Sequence, residues 1–214
     1  MSDKKRSHPF CWPTWITGLL AGSSRCKYAA WYRAHHHFAK LPDENESSLD
    51  TWTKEHNAMV NARAKALVAR GFTVGVEEDN SFTVRGKSAT LSGKPDIVAV
   101  NDEWAIVVDA KSGKVKPEHQ WQVKIYLWAM PLVEAALAPL KMRGELQYKE
   151  PIGVAPVTVD AIEVETITRM IRMVGAPVAP PASPSAGECR WCNIAACEFR
   201  HASSKPREAT VDSF

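Results

Sequence analysis

The spacing of apolar and polar positions divides the 214-residue chain into helical ends and a strand-rich middle. Residues 12–38 carry apolar side chains at helical spacing, which predicts a mostly helical N-terminal segment. A polar stretch over residues 42–50 predicts a loop that caps the next helix. That helix is expected over residues 52–70, where apolar side chains recur every three or four positions, and Gly71 is expected to end it.

Over residues 72–111 the apolar period shortens towards two and β-branched residues become frequent. Turn residues near positions 79–80, 92–93 and 101–102 interrupt this stretch, which predicts a meander of three or four strands. A helix is expected over residues 118–137, kinked or split at Pro131.

The remainder alternates again between strands and a helix. Strands are predicted over residues 144–148 and 153–159, and residues 161–174 have the pattern of an amphipathic helix. The proline-rich residues 176–186 predict an extended tether. Residues 201–214 are expected to form a loose tail, and the chain length predicts one domain over residues 1–214.

Composition and charge narrow the function classes only slightly. Hydrophobic residues make up 45% of the chain and charged residues 24%, which favours a folded protein over a disordered one. The net charge of +3 is compatible with nucleic acid but does not identify a partner. Residues 1–25 begin like a secretory signal, but Pro9 and Pro13 interrupt their apolar stretch, so a cytoplasmic protein is expected. No apolar run of about 18 residues predicts a membrane span.

Candidate chemistry is concentrated in KPDIVAVNDEWAIVVDAKSGK, residues 94–114. A hairpin with its turn at residues 101–103 would bring Asp96 and Asp109 to the same end of two neighbouring strands. Two such carboxylates repel each other unless a cation lies between them, and Mg²⁺ or Mn²⁺ prefers oxygen ligands of this kind. Lys111 would lie on the same face as Asp109 and could orient water or offset charge on a phosphoryl group. Two carboxylates, a lysine and a divalent ion are the groups needed to hydrolyse a phosphodiester, but the spacing alone favours a surface ion pair at the strand ends.

These residues resemble the signature of the PD-(D/E)XK nuclease superfamily, with G-K-P-D at 93–96 and D-A-K at 109–111. Gln122 and Tyr126 match the Q-x-x-x-Y motif of its RecB-like branch. The resemblance implies an α/β fold with a restriction-endonuclease-like core, in which helices flank a central mixed sheet. It also implies a Mg²⁺ or Mn²⁺ site made by His56, Asp96, Asp109 and the Ala110 carbonyl. In that site Lys111 would orient water, and Gln122 and Tyr126 would position the strand or brace the site. His119 adjoins Gln122 on the same predicted helix and is a further candidate for contact with DNA.

Three of the five cysteines fall within residues 189–197, which favours a metal site over disulfides in a reducing compartment. Cys26, Cys189, Cys192 and Cys197 resemble the ligands of the iron–sulfur subset, which includes CRISPR-associated exonucleases and AddB-type nuclease domains. In that subset a [4Fe-4S] cluster ties the two ends of the chain across the fold. Residues 15–40 and 161–200 would therefore form a clamp around a core over residues 50–160.

The cysteine site leaves two questions open. Four residues separate Cys192 from Cys197 where the family usually has five, and four thiolates would also suit Zn²⁺. Cys11 could take the place of Cys26 as a ligand, but its context between Phe10 and Trp12 favours a buried or free thiol.

The resemblance implies a metal-dependent DNA exonuclease that acts on single-stranded DNA. The expected process is CRISPR adaptation, recombination or repair, with a larger DNA-processing complex as a further partner. One alternative is an endonuclease module that is active only inside such a complex. The other is a catalytically idle DNA-binding scaffold in which the cluster serves structure only.

Overall fold

The computed structural model describes residues 4–38, 49–195 and 197–201. Residues 42–48 of the predicted loop and residues 202–214 of the predicted tail lie outside the described residues. The described residues form the α-helices α1 (Thr17–Leu20), α2 (Lys27–His35), α3 (Leu49–Val68), α4 (Pro117–Val133), α5 (Ala161–Val174) and α6 (Ala186–Trp191). The strands are β1 (Lys4–Lys5), β2 (Phe10–Cys11), β3 (His36–His37), β4 (Thr73–Val76), β5 (Phe82–Arg85), β6 (Thr90–Gly93), β7 (Ile97–Val100), β8 (Trp104–Lys111), β9 (Lys141–Tyr148) and β10 (Val154–Val157).

A five-stranded sheet forms the centre of the fold, with strand order β10-β9-β8-β7-β4. Strands β8 and β9 run parallel and are joined through α4, as a parallel pair requires a crossover connection. The other neighbouring pairs are antiparallel, so the sheet is mixed. The expected α/β architecture, with helices on both sides of a central mixed sheet, is confirmed.

Residues 105–110 of strand β8 are all buried, which shows that both faces of the strand are covered. Alternate residues belong to different cores: Val107 packs in the core that contains Val123 of α4, whereas Ile106 and Val108 pack with Leu67 of α3. Asp109 comes two residues after Val107, so its side chain lies on the same face of β8 and points towards α4. The two helices that flank β8 thereby become the walls of the site described below.

The predicted meander is wrong in its pairing. Strand β4 pairs with β7, while β5 and β6 leave the central sheet and pair with β2 in a second sheet of order β2-β6-β5. The 3-10 turn Glu77–Asn80 redirects the chain after β4, and the Asn80 amide donates to Gly75 O in β4 and to Pro95 O just before β7, which holds the turn against these two segments. The turn expected at residues 92–93 is instead the end of β6.

Two of the predicted helices are present nearly as expected. The helices expected over residues 52–70 and 161–174 are confirmed as α3 and α5, and Asp160 and Glu163 form a capping box at the start of α5. Helix α4 continues past Pro131 to Val133 before the 3-10 turn Ala135–Leu137. The segment 12–38 is interrupted, because the chain leaves helical geometry at residues 21–26, where Gly22 has φ +73°.

Residues 176–185 are neither helix nor strand, as the proline content predicted. No helix in the described ranges has both the length and the hydropathy needed to cross a lipid bilayer.

Candidate active site

The hairpin of β7 and β8 brings the two predicted carboxylates together. Ile97 lies opposite Val108 in the antiparallel register, so Asp96 and Asp109 extend the same ladder by one residue. The Ala110 amide donates to Asp96 Oδ2 at 2.6 Å, which fixes the Asp96 side chain against β8. Both carboxylates line one open cavity of about 760 Å³, whose walls come from α3, the start of α4 and the ends of these strands.

Asp109 is the more constrained of the two carboxylates. Its side chain is only 2% exposed, and burial, with the nearby Asp96 charge adding to it, raises the pKa of Asp109 to about 6 although Lys111 opposes the change. The Lys111 ammonium lies 2.6 Å from Asp109 Oδ2 as an ion pair, but Oδ2 has no partner in hydrogen-bond geometry. A buried carboxylate in this position needs a nearby cation or hydrogen-bond donors to be stabilised as an anion.

The Gln122 side-chain amide connects three of the predicted site residues. Its carbonyl accepts from Lys111 Nζ at 3.0 Å, and its amide nitrogen lies 2.9 Å from Asp109 Oδ1 and 2.8 Å from the Tyr126 hydroxyl. Gln122 and Tyr126 are four residues apart on α4, so both face β8. Gln122 therefore holds the lysine and the carboxylate in one fixed arrangement.

Tyr126 supports this arrangement through its hydrogen bond with Gln122. It is only 3% exposed, and its hydroxyl donates to Lys94 O at 3.4 Å while it accepts from Gln122. Burial, with the Asp109 charge adding to it, raises the pKa of Tyr126 far above its ordinary value. Tyr126 is consequently a neutral brace between α4 and the strand that carries Asp96.

His56 lies on α3, which forms the wall of the cavity on the other face of β8 from α4. Its Nε2 lies 3.5 Å from Asp96 Oδ1, and hydrogen bonding to Asp96 raises the pKa of His56 despite its partial burial. His56 Nδ1 is buried without a hydrogen-bond partner among the described residues. The structure thus places His56 beside Asp96 rather than beside Asp109.

His119 lines the same cavity but points its ring towards β9. Its Nδ1 lies 3.1 Å from the Tyr148 hydroxyl. Burial, reinforced by the Lys111 charge, lowers the pKa of His119 to about 4, so the ring is neutral at pH 7. Its predicted contact with DNA, which stays a prediction, would be made by a neutral imidazole.

Comparison with known proteins identifies the family of the chain. A family model described as the PD-(D/E)XK nuclease superfamily matches residues 21–198. The chain belongs to the PD-(D/E)XK nuclease superfamily. Membership of this superfamily indicates a metal-dependent nuclease.

Fifteen chains of known structure are similar to this superfamily member. One is the crystal structure of SSO0001, which is 16% identical, has a TM-score of 0.49, and is aligned over 92% of this chain and 89% of that chain. No curated protein matches the sequence.

The donors in the cavity lined by Asp96 and Asp109 fit a hard divalent cation. Among the described residues no three His, Cys, Asp or Glu side chains are arranged as a metal-binding group. Two carboxylates nevertheless face one cavity, His56 adjoins one of them, and the other has a buried oxygen without a hydrogen-bond partner. Mg²⁺ and Mn²⁺ need few protein oxygens because water and substrate phosphate complete their coordination.

The four predicted cysteine ligands line a second cavity, of about 600 Å³. Cys26 is the N-cap residue of α2, Cys189 lies in α6, Cys192 directly follows α6, and Cys197 comes five positions later. All four thiols are free, and they are not close enough to form a metal-binding group in this arrangement. The four side chains that the sequence grouped are therefore brought to one cavity from opposite ends of the chain.

Glu188 joins these ends without any metal. Its Oε1 accepts from the amides of Arg25 and Cys26 at 2.6 and 3.1 Å and from Ser24 Oγ at 2.8 Å. Its Oε2 accepts from Ser185 Oγ at 2.9 Å. A carboxylate at the start of α2 also interacts favourably with the helix dipole. Sequence reasoning missed Glu188, whose only local signal is the Ser185-to-Glu188 spacing of a helix cap.

Cys11 lies away from this cavity, in β2. Its thiol is only 1% exposed and donates to Trp12 O, and burial raises its pKa to about 12. The structure therefore favours the interpretation of Cys11 as a buried core thiol, and Cys26 is the N-terminal cysteine at the second cavity.

Proposed function

We propose that the chain is a metal-dependent exonuclease that hydrolyses phosphodiester bonds in single-stranded DNA. The observation that carries the proposal is the convergence of Asp96, Asp109 and Lys111 in one open cavity, with Gln122 bridging the last two. Neither a scaffold nor a DNA-binding module requires a buried carboxylate held against a lysine at the floor of a groove.

In this proposal Asp96, Asp109, His56 and the Ala110 carbonyl hold Mg²⁺ or Mn²⁺. When bound, the ion supplies positive charge that polarises the phosphate and favours deprotonation of water. Lys111 orients the attacking water or offsets charge that develops on the phosphoryl oxygens, since its ammonium is held between Asp109 and Gln122. Gln122 and Tyr126 keep these groups in register as DNA enters.

The same proposal places the chain in the RecB-like iron–sulfur branch. Cys26, Cys189, Cys192 and Cys197 would bind a [4Fe-4S] cluster, with Zn²⁺ as the competing occupant, because thiolates suit both. The supporting observation is that all four free thiols line one cavity at the junction of the chain ends. Iron, sulfide and zinc contents of anaerobically purified protein distinguish the two occupants.

The proposed setting is cytoplasmic DNA processing, in CRISPR adaptation, recombination or repair, alone or within a larger complex. Circular and linear single strands offered side by side test the mode of cleavage. Shortening of the linear strand alone supports an exonuclease. Cleavage of both would favour the endonuclease alternative, and cleavage only after a partner protein is added would favour the module that depends on a complex.

The role of Lys111 separates catalysis from binding. Lys111→Ala is expected to lower kcat by about 100- to 1,000-fold, the range seen when one charge-stabilising donor is removed. Affinity for DNA should change little, because Lys111 is one of several lysines that line the cavity. Cleavage by the variant at the parent rate would contradict the assignment.

A further inference from the structure

An exposed tryptophan stands at the rim of the proposed catalytic cavity. Trp52 lies in the first turns of α3, lines the cavity and has 49% of its surface exposed. Single exposed aromatic side chains are common on protein surfaces, so the informative feature is that Trp52 lines the cavity that also holds Asp96 and Asp109.

The orientation of Trp52 is fixed by the proposed metal-site histidine. Its ring stacks on the His56 ring one helical turn away, with centroids 5.1 Å apart and planes inclined by 16°. His56 in turn lies 3.5 Å from Asp96 Oδ1. One face of the indole therefore packs on His56, while 49% of the Trp52 surface stays exposed to the cavity and solvent.

Lysines that line the same cavity as Trp52 suit a phosphate backbone. Lys114 and Lys116 are exposed in the loop between β8 and α4, whereas Lys94 is paired with Glu78 at 2.6 Å. Aromatic faces next to lysines are the arrangement by which proteins hold single strands, because every base has a π-face and every linkage has a negative charge.

We propose that the free face of Trp52 is a binding subsite for one unpaired nucleobase, next to the scissile phosphate. The inference rests on the proposed nuclease function and adds to it a cause of strand preference. A base in a duplex would have to leave its stack and its base pair to occupy this face, whereas an unpaired base has no base pair to break. Trp52 acts as a positioning residue, since it binds a nucleobase and takes no part in bond cleavage.

The test measures binding of a fluorescein-labelled single strand of about 20 nucleotides, a length sufficient to cover a groove of this kind. Binding is measured in excess chelator so that no cleavage occurs. A series of oligomers, each with one abasic site at a successive position from the end, is compared on the parent, Trp52→Ala and Trp52→Phe. Trp191→Ala is the matched control, because Trp191 is 71% exposed at the cysteine cavity instead.

In the parent, abasic sites at one or two positions should weaken binding roughly 5- to 100-fold, the range for loss of one stacked base. Trp52→Ala should bind the intact oligomer more weakly by a similar factor and should lose the dependence on abasic position. Trp52→Phe should keep most of both effects, and Trp191→Ala should behave as the parent. Circular dichroism of each variant verifies that the fold is retained.

The subsite is overturned alone if the parent binds and cleaves DNA but shows no abasic dependence, or if Trp52→Ala keeps that dependence. A parent that neither binds nor cleaves single strands overturns the proposed function and the subsite together.

Discussion

Replacement of Glu188 by alanine tests whether the chain ends are joined independently of any metal. The carboxylate accepts three hydrogen bonds from residues 24–26 and one from Ser185, across more than 160 positions of sequence in the first three cases. The Arg25 and Cys26 amides belong to the start of α2, where no intrahelical acceptor is within reach. Without Glu188 these donors have only water.

The expected loss of stability is moderate. Hydrogen bonds to a charged group contribute about 1.5–3 kcal/mol each when buried, but this site is partly exposed and water replaces part of each bond. We therefore expect Glu188→Ala to lower the free energy of unfolding by about 2 kcal/mol in total. For a domain of this size that corresponds to a decrease in Tm of about 4–8 °C.

The loss of stability caused by Glu188→Ala should depend on pH. Burial alone would raise the pKa of Glu188, but the hydrogen bonds from Arg25, Ser24 and Cys26 outweigh it and lower the pKa to about 2. A carboxylate with a lowered folded-state pKa stabilises the fold above the unfolded-state pKa, which is 4.5 here, and loses that contribution as the pH falls towards 2. The difference between parent and variant should therefore be about 1 kcal/mol smaller at pH 4 than at pH 7.

The assay is urea unfolding of the metal-free protein, in chelator and reductant, at both pH values. Glu165→Ala is the matched control, because Glu165 is an exposed glutamate on the surface of α5. A difference from the parent no larger than that of the control, or one that is independent of pH, would refute the reasoning.

Three further predictions concern the site, the cysteines and the buried charges. Gln122→Leu should lower the cleavage rate about 100-fold through misplacement of the catalytic groups, with single-strand affinity nearly unchanged in a binding assay. Cys26→Ser should reduce the metal content of anaerobically purified protein, whereas Cys11→Ser should leave it intact and destabilise the fold by about 1–3 kcal/mol, measured by elemental analysis and urea unfolding. Arg63→Ala should cost about 2–3 kcal/mol, because Glu145 is only 1% exposed and keeps only the partly exposed Arg143, at 3.3 Å, as an ion-pair partner; recovery of stability in Arg63→Ala with Glu145→Gln checks this cause.

The parts of the site that sequence could predict depend on contacts close in the chain. A short turn in a hairpin determines which ends meet, so Asp96 and Asp109 were expected at one place, and they line one cavity. The spacing of Gln122 and Tyr126 on a helix likewise determined that both share one face.

The parts that sequence could not predict depend on pairing between distant segments. The parallel pairing of β2 with β6 joins residues about 80 positions apart, and no local pattern distinguishes it from a hairpin with β7. The contacts of Glu188 with residues 24–26 span an even longer separation. Trp52 was not predicted as a site residue because only the packed position of α3 against the sheet brings it to the cavity.

The most direct test of the account is cleavage of end-labelled linear single-stranded DNA with Mg²⁺ or Mn²⁺, by the parent and by Asp109→Asn. The variant removes the charge at the centre of the site and keeps the side-chain shape. We predict shortening of the DNA by the parent that a chelator abolishes, and none by the variant, although both bind the strand. Equal cleavage by both proteins, or cleavage that continues in excess chelator, would contradict a metal-dependent nuclease site at Asp96 and Asp109.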